Sequence, residues 1–404
     1  MFSKTEEDRL SLSDIIMPCV YIRSLLVYNY HIDDLEQPFN EYLRQFCPQA
    51  LKRIIDDDRY PMGGRIVNCE NEQERKVFSR ESRLNESIVK YLGNDLLNED
   101  IFPYGIIPTD LSPLIFIHQI YLQDGTLLAI GCHHYLTDGH GLSTLGQRFA
   151  SWLKEKKSLS FDHDRSKLQN LARLSSIQFD HPEMSLVEPI GYSLFARSSS
   201  NTIVKCYTKT YLFDRLNIMN KNGLISVNDV LTAWLTQIIS RIRCISRQST
   251  VKIGMAMNGR TFLPGIDANY FGNCTFYLCL SFSMSDLDDL TIDELAQRIN
   301  IEKRQLMTTE YIESALAFID KHYRSSMIHL GWQTTGGNDL SFTNWTRFPL
   351  YRCDFGQGGA KQFKLCSIQS DGLIFILPTM NNDEIELHIT LQTEHAKVLL
   401  SKLI

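Results

Sequence analysis

Apolar and polar positions along the chain follow two periods. From Cys19 to Tyr30 the chain is crowded with Val, Ile, Leu and Tyr, the composition of a pleated, half-buried strand. Leu35, Phe39, Leu43, Phe46, Leu51 and Ile54 then recur at helical spacing and predict an amphipathic helix over 35–54. Tyr60-Pro61-Met62-Gly63-Gly64-Arg65 interrupts the pattern as a turn, and a strand follows at Ile66 and Val67. The clearest paired elements are a hairpin. Leu114 to Leu122 runs out, Gln123-Asp124-Gly125 turns, and Thr126 to Cys132 returns. Leu142, Leu145, Phe149 and Trp152 predict the next helix, from about Leu142 to Lys157. It ends in Lys154, Lys156 and Lys157, as the helix dipole favours.

Residues 158–200 lose periodicity and are rich in Ser, Asp and Pro, which marks a linker. A β-rich run from Thr202 to Phe213 opens the second half. Ser226, followed three residues later by Asp229, predicts an N-terminal cap before Val230, Leu231, Trp234, Leu235 and Ile238. A strand from Gly254 runs into Asn258-Gly259-Arg260. Thr291 and Glu294 form a capping box before a helix at Leu295. The chain closes with a hairpin, Leu373 to Pro378 and Ile385 to Leu391, turning at Asn381-Asn382-Asp383. A last helix carries Val398, Leu399 and Leu400. These elements predict a mixed α/β protein, and 404 residues suit two domains. No internal repeat is visible.

Charge and cysteine usage narrow the function. A net charge of -6 argues against a broad nucleic-acid surface but leaves room for a local basic pocket. Ten cysteines occur without a C-x-x-C pair, the closest being Cys274 and Cys279. That scatter predicts reduced thiols in a cytoplasmic protein, with no zinc site and no disulfide framework. The first ten residues are charged and lack a signal-peptide apolar core, and no apolar run reaches membrane-spanning length.

Gly131-Cys132-His133-His134-Tyr135-Leu136-Thr137-Asp138-Gly139 carries the candidate chemistry. Two adjacent histidines sit where the hairpin's second strand ends and a loop begins, and such loops commonly hold reactive groups. His134 opens an H-x-x-x-D-G pattern. A neutral imidazole is a good base near neutral pH. Asp138 is placed to orient the loop by pairing with a cation. Gly139 permits a positive φ or a close backbone approach. Two strand-end histidines without a chemical role would look the same.

Late in the chain, Ser341-Phe342-Thr343-Asn344-Trp345 precedes Cys353-Asp354-Phe355-Gly356-Gln357-Gly358. The early H-x-x-x-D-G and the late D-F-G-x-G together resemble the BAHD acyltransferases. Leu10-Ser11-x-x-Asp14, the Tyr60–Arg65 turn, Ser226-x-Asn228-Asp229, Asn258-Gly259-Arg260 and Tyr270-Phe271-Gly272-Asn273 resemble further family landmarks in the right order. The late family motif is usually D-F-G-W-G, so Gln357 is a departure.

The resemblance implies two similar domains of mixed sheet flanked by helices, with a channel between them. The expected boundaries are 1–165 for the N-terminal domain, 166–200 for a crossover linker and 201–404 for the C-terminal domain. It implies acyl transfer from acyl-coenzyme A to a hydroxyl or amine of a small molecule, of the specialised-metabolite kind, by a monomer without a metal. His134 is the implied general base. Thr343 is the implied oxyanion donor, with Asn344 and Trp345 as further oxyanion or substrate candidates. Asp138, Gly139, Arg260, Asp354 and Gly356 are implied to be structural, with Arg260 pairing with Asp138. Ser226, at a helix start, is a candidate for a coenzyme A phosphate. Three alternatives share the histidine motif. Chloramphenicol acetyltransferases are shorter trimeric chains, and carrier-protein-dependent condensation domains lack the D-F-G motif. A catalytically silent small-molecule binder has less reason to keep both histidines.

Overall fold

The first half of the chain supplies four strands of a five-stranded sheet, and the second half supplies its fifth strand and a separate six-stranded sheet. The computed structural model describes residues 9–57, 59–69, 76–93, 99–109, 111–188, 204–212, 225–366, 370–380 and 384–403. The first half runs α1 (Leu12–Ile15), β1 (Tyr21–Tyr28), α2 (Glu36–Phe46), β2 (Arg53–Asp56), β3 (Gly64–Val67), β4 (Phe78–Arg83), β5 (Ile115–Leu122), β6 (Thr126–His133), α3 (Gly139–Glu155), α4 (Ser166–Leu174) and β7 (Met184–Val187). The second half begins with β8 (Val204–Leu212), α5 (Val227–Ile242), β9 (Thr250–Asn258), β10 (Thr275–Ser283), α6 (Met284–Asp289), α7 (Ile292–Leu306) and α8 (Thr309–His322). It continues with β11 (Met327–Leu330), β12 (Leu340–Asn344), β13 (Gln362–Leu365), β14 (Leu373–Pro378), β15 (Glu384–Gln392) and α9 (Thr393–Leu403).

The first sheet has the order β13-β1-β6-β5-β4 and the second β10-β9-β12-β14-β15-β8. Two ribbons, β2–β3 and β11–β7, stand apart. In the first sheet β6 pairs antiparallel with both β1 and β5, and the hairpin forms as expected. Every residue of β6 is buried. Alternation along the strand explains this: Leu128, Ile130 and Cys132 enter the main core, while Leu127 and Ala129 enter a smaller core on the opposite face. The second sheet is mixed, because β12 lies parallel to both β9 and β14.

Three boundaries differ from the sequence pattern. The helix expected over 35–54 stops at Phe46, and Leu51 and Ile54 lie beyond it. Pro48 is the reason. It lacks an N–H and disfavours helical geometry at Cys47, which adopts φ -142°. Second, α3 starts at Gly139 because the Asp138 side chain accepts from the Gly141 N–H at 3.0 Å and caps it. Third, the segment read as linker contains α4 and β7. Leu168 and Ala172 of α4 are buried, and the helix packs on α8. The stretch 178–183 is pinned to α8 by a buried chain of polar groups. Ser314 Oγ accepts from the N–H groups of Gln178 and Phe179 and donates to His181 Nε2. His181 Nδ1 reaches Glu183 at 2.7 Å, and Tyr311 donates to the same carboxylate at 2.6 Å. Residues 189–200 of that segment, Ser198 to Ser200 included, and the turn expected at 381–383 lie outside the described residues.

A division at residue 200 does not fully separate the two sheets. β13, from the late part of the chain, pairs antiparallel with β1 and completes the edge of the first sheet. The nine cysteines whose side chains are described are free thiols. Among the described residues no helix is long and apolar enough to cross a membrane.

Candidate active site

A cavity of about 780 Å³ opens between the two sheets, lined from β1, β9, β10, β11, β12, β14 and the loop after β6. His134, Asp138, Gly139, Arg260, Thr343, Asn344 and Trp345 all line it. Residues separated by some two hundred positions are thus brought together. Asp354, Gly356 and Ser226 are not among its lining residues.

His134 is delivered by β6. Its own N–H donates to the Val20 carbonyl at 2.9 Å, and the preceding His133 N–H donates to the Leu114 carbonyl at 2.8 Å. The side chain is set by Asn273, which lies 3.0 Å away from His134 Nδ1 through its Oδ1. The orientation of that amide is forced. Asn273 Nδ2 faces the Asp14 carboxylate at 2.8 Å and the His134 carbonyl at 2.6 Å, both acceptors. Oδ1 therefore faces the imidazole, Nδ1 carries the proton, and the lone pair is left on Nε2. Asp14 is fully buried and held in turn by Arg165 Nε at 2.9 Å and by the Ser11 N–H at 2.8 Å. Burial lowers the His134 pKa, which favours the neutral ring.

His133 faces the other way. It is 2 % exposed, accepts from the Tyr135 N–H at 3.1 Å, and burial together with the neighbouring His134 lowers its pKa to about 3. The two histidines are therefore one structural and one cavity-facing group.

Asp138 and Arg260 form the expected buried pair. The guanidinium binds both carboxylate oxygens, at 2.8 and 3.1 Å. The carboxylate also accepts from Gly141 N, Cys274 N and Thr275 Oγ1, and the guanidinium also donates to the carbonyls of Tyr270 and Gly272. Burial pushes the carboxyl up, but the Arg260 charge and these hydrogen bonds outweigh it and hold the pKa at about 2. With its acceptor sites filled, Asp138 is a strut between α3 and the loop before β10. Gly139 has no positive φ. Its requirement is close approach, because a Cβ there would lie 2.5 Å from the Trp345 indole.

Trp345 in turn donates from Nε1 to Thr343 Oγ1 at 3.2 Å. An indole N–H can only donate, so Thr343 accepts and its own hydroxyl hydrogen can be given to a substrate oxygen. Asn344 is engaged on both sides of its amide. Nδ2 donates to Asn228 Oδ1 at 2.9 Å, and Oδ1 accepts from the Thr346 N–H at 2.9 Å. That leaves Thr343 as the better placed donor of the two.

The D-F-G-x-G segment is a surface clasp. Asp354 Oδ1 accepts from the N–H groups of Gly356 and Gly358, at 2.9 and 2.8 Å, and its other oxygen pairs with Lys154 near the end of α3. Both glycines have positive φ, +133° and +108°. Phe355 packs on Tyr28 and Phe149, and Gln357 is exposed. Ser226 caps α5 in a full capping box with Asp229, whose charge is matched by Lys303. Its hydroxyl donates to Asp229 at 2.7 Å, so capping accounts for it.

Sequence reasoning missed Asn273, Asp14 and Arg165 as parts of the site, although Asp14 and Asn273 both stand in segments noted as landmarks. His140 was also missed. It lines the cavity, its ring meets Phe348 at 5.8 Å, and burial together with Arg260 lowers its pKa.

Comparison with known proteins agrees with this architecture. The profile of the Transferase family matches residues 3–402. Shikimate O-hydroxycinnamoyltransferase of Nicotiana tabacum is 29% identical over 98% of this chain and 95% of its own length. Anthranilate N-benzoyltransferase protein 1 of Dianthus caryophyllus is 22% identical over 89% of this chain and 83% of its own length. Among solved structures, F. graminearum TRI101 complexed with coenzyme A and T-2 mycotoxin superposes with a TM-score of 0.79 at 14% identity, covering 98% of this chain and 97% of that one. Vinorine synthase superposes with a TM-score of 0.72 at 14% identity, covering 99% and 94%. With the family profile spanning almost the whole chain and the fold shared, the protein belongs to the BAHD acyltransferase family.

Proposed function

We propose that the protein transfers an acyl group from acyl-coenzyme A to a hydroxyl, or alternatively an amine, of a small-molecule acceptor. One observation carries this reading. His134 lines the cavity with Nδ1 committed to Asn273, which leaves Nε2 as a base in the same cavity that Thr343 lines with a hydroxyl free to donate.

In the reaction, Nε2 of His134 takes the acceptor's O–H proton as the oxygen attacks the thioester carbonyl. The carbonyl oxygen becomes an oxyanion and accepts a hydrogen bond from the Thr343 hydroxyl, which keeps its proton. Collapse breaks the C–S bond, and the protonated imidazole returns its proton to the leaving thiolate. No metal and no covalent enzyme intermediate enter this sequence. Asp138, Gly139 and Arg260 fix the loop. Asp354 and Gly356 hold the clasp that ties the late segment to α3. Coenzyme A lies toward the Asn344 end of the cavity, where Asn344 donates to Asn228 in the first turn of α5; Ser226 contributes there through the helix start it caps. In this reading the protein works as a cytoplasmic monomer on specialised metabolites.

The test is release of free thiol from acetyl-, malonyl- and aromatic acyl-coenzyme A in the presence of alcohol and amine panels. The expected result is acceptor-dependent release that His134→Ala loses by about two to four orders of magnitude while keeping its fold. Full activity in that variant would discard the assignment. A condensation-like enzyme would instead release nothing from free acyl-coenzyme A and respond only to a carrier-tethered acyl group.

A further inference from the structure

The cavity continues well past the reacting groups. His134 is held by Asn273, just ahead of Thr275, and Thr275 pairs with Asn258 at the end of β9. Gly254 lies four residues back along β9, which at about 3.3 Å per residue places it roughly 13 Å from that level. There Trp332, which follows β11, lies on the sheet. A Cβ on Gly254 would come within 2.1 to 2.6 Å of three atoms of its indole, so the glycine makes the notch the ring occupies.

Trp332 is 6% exposed, packs edge-on against Tyr277 at 5.5 Å, and lines the cavity. Its Nε1–H is buried and has no hydrogen-bond partner among the described residues. Such groups are rare in folded proteins because an unmatched buried donor is costly. Met257, Tyr277, Met327, Leu330, Phe342 and Phe375 make up much of the cavity wall, with Ser341 at the level of Gly254. The two arginines among the lining residues are already bound to carboxylates, Arg23 to Glu99 at 2.8 Å and Arg260 to Asp138 at 2.8 Å.

We propose that Trp332 is a specificity-determining residue whose indole N–H binds an oxygen at the far end of a neutral, largely apolar acceptor alcohol. This rests on the acyl-transfer reading above and names the acceptor class for it. The reacting hydroxyl meets His134, the carbon skeleton lies along the methionine and aromatic wall, and a carbonyl or ether oxygen roughly 13 Å away accepts from Trp332.

The experiment uses the intact protein and two matched pairs of alcohols. One is dehydroepiandrosterone and the analogue with its remote ketone replaced by a methylene. The other is a linear ten-carbon alcohol with and without a keto oxygen at its far end. Calorimetric titration without acyl-coenzyme A is expected to favour the ketone of at least one pair about fivefold, the worth of one neutral hydrogen bond. Trp332→Phe, which keeps an aromatic ring, is expected to erase that preference and leave the deoxo affinity unchanged. In the parent protein one indole N–H resonance among the four tryptophans should move downfield with the ketone alone, a reading that needs no variant. No preference in either pair, no binding of either pair, or an equal preference in Trp332→Phe overturns the inference. Thiol release with the same alcohols separates the two readings. A ketone preference without release discards acyl transfer and keeps the binding role, whereas release without a preference does the reverse.

Discussion

Thr343 and its neighbour Trp345 show how much one hydrogen bond decides. Because the indole can only donate, the threonine hydroxyl is turned so that its hydrogen faces away from the tryptophan. Its worth as a donor rises as negative charge grows on the carbonyl oxygen, so it favours the transition state over the bound substrate. Thr343→Val is therefore expected to lower kcat about a hundredfold or more with little change in KM. Steady-state kinetics checks this, and a change confined to KM would make Thr343 a ground-state contact. His134 belongs to the same scale. Burial lowers its pKa, and a base works only above its pKa. The acidic limb of kcat/KM is expected below pH 6.5, the ordinary histidine value. A limb above that value would mean that another group sets the profile.

At the scale of elements, two devices hold the late segments against the early ones. The Asp138–Arg260 pair joins the start of α3 to the loop before β10, and both partners are almost wholly buried. Removing one partner leaves an uncompensated buried charge. Arg260→Ala is expected to destabilise the protein by about 3–5 kcal/mol and to lower activity with it. Asp138→Asn should act in the same direction. Denaturant titration measures both, and unchanged stability would refute the strut. The D-F-G-x-G clasp works differently. Gln357 is exposed, so Gln357→Ala should keep near-parent turnover and melting temperature. Gly356 stands at φ +133°, so Gly356→Val should cost roughly 1–3 kcal/mol of backbone strain. A folded Gln357→Ala protein without turnover would place that side chain in the chemistry after all.

At the scale of the whole molecule, buried ionisable groups make stability depend on pH. Burial lowers the pKa of His388 to about 4, and burial with the adjacent His134 lowers that of His133 to about 3. Below about pH 6.5 the unfolded chain binds protons that these sites refuse, so both groups cost stability as pH falls from 6.5 toward 4. Burial raises the Glu386 pKa to about 7, partly offset by Lys364. The folded state then keeps a proton that the unfolded state releases, so this group costs stability as pH rises from about 4.5 to 7. Asp138 plays no part in that range, since its stabilisation is lost only between about pH 3.9 and its folded value of about 2. Two histidines oppose one glutamate, and the melting temperature is expected to rise between pH 5 and 6.5. His388→Phe should flatten that rise and Glu386→Gln should steepen it. Thermal melts over this range check both signs, and matching slopes in all three proteins would refute the assignment.

The local elements were legible from the chain alone. The β5–β6 hairpin, the caps at Ser226 and Thr291, and the glycine turn after Asp354 depend on residues a few positions apart, and their patterns are written in the sequence. The motif order also pointed to His134, Thr343 and the Asp138–Arg260 pair, the last two only through family resemblance. Other features depend on contacts that span the chain. The helix ending at Phe46 was set by Pro48 against a continuing apolar period. β13 crossed from the late segment into the first sheet because β1 offered it an open edge, which no local pattern reports. Asn273 became the partner of His134 only when the loop before β10 met the end of β6, with Asp14 and Arg165 fixing the amide from two further segments. Periodicity records which face of an element is buried. Which faces meet is decided by packing, and that is where the lone pair of His134 and the unmatched N–H of Trp332 were set.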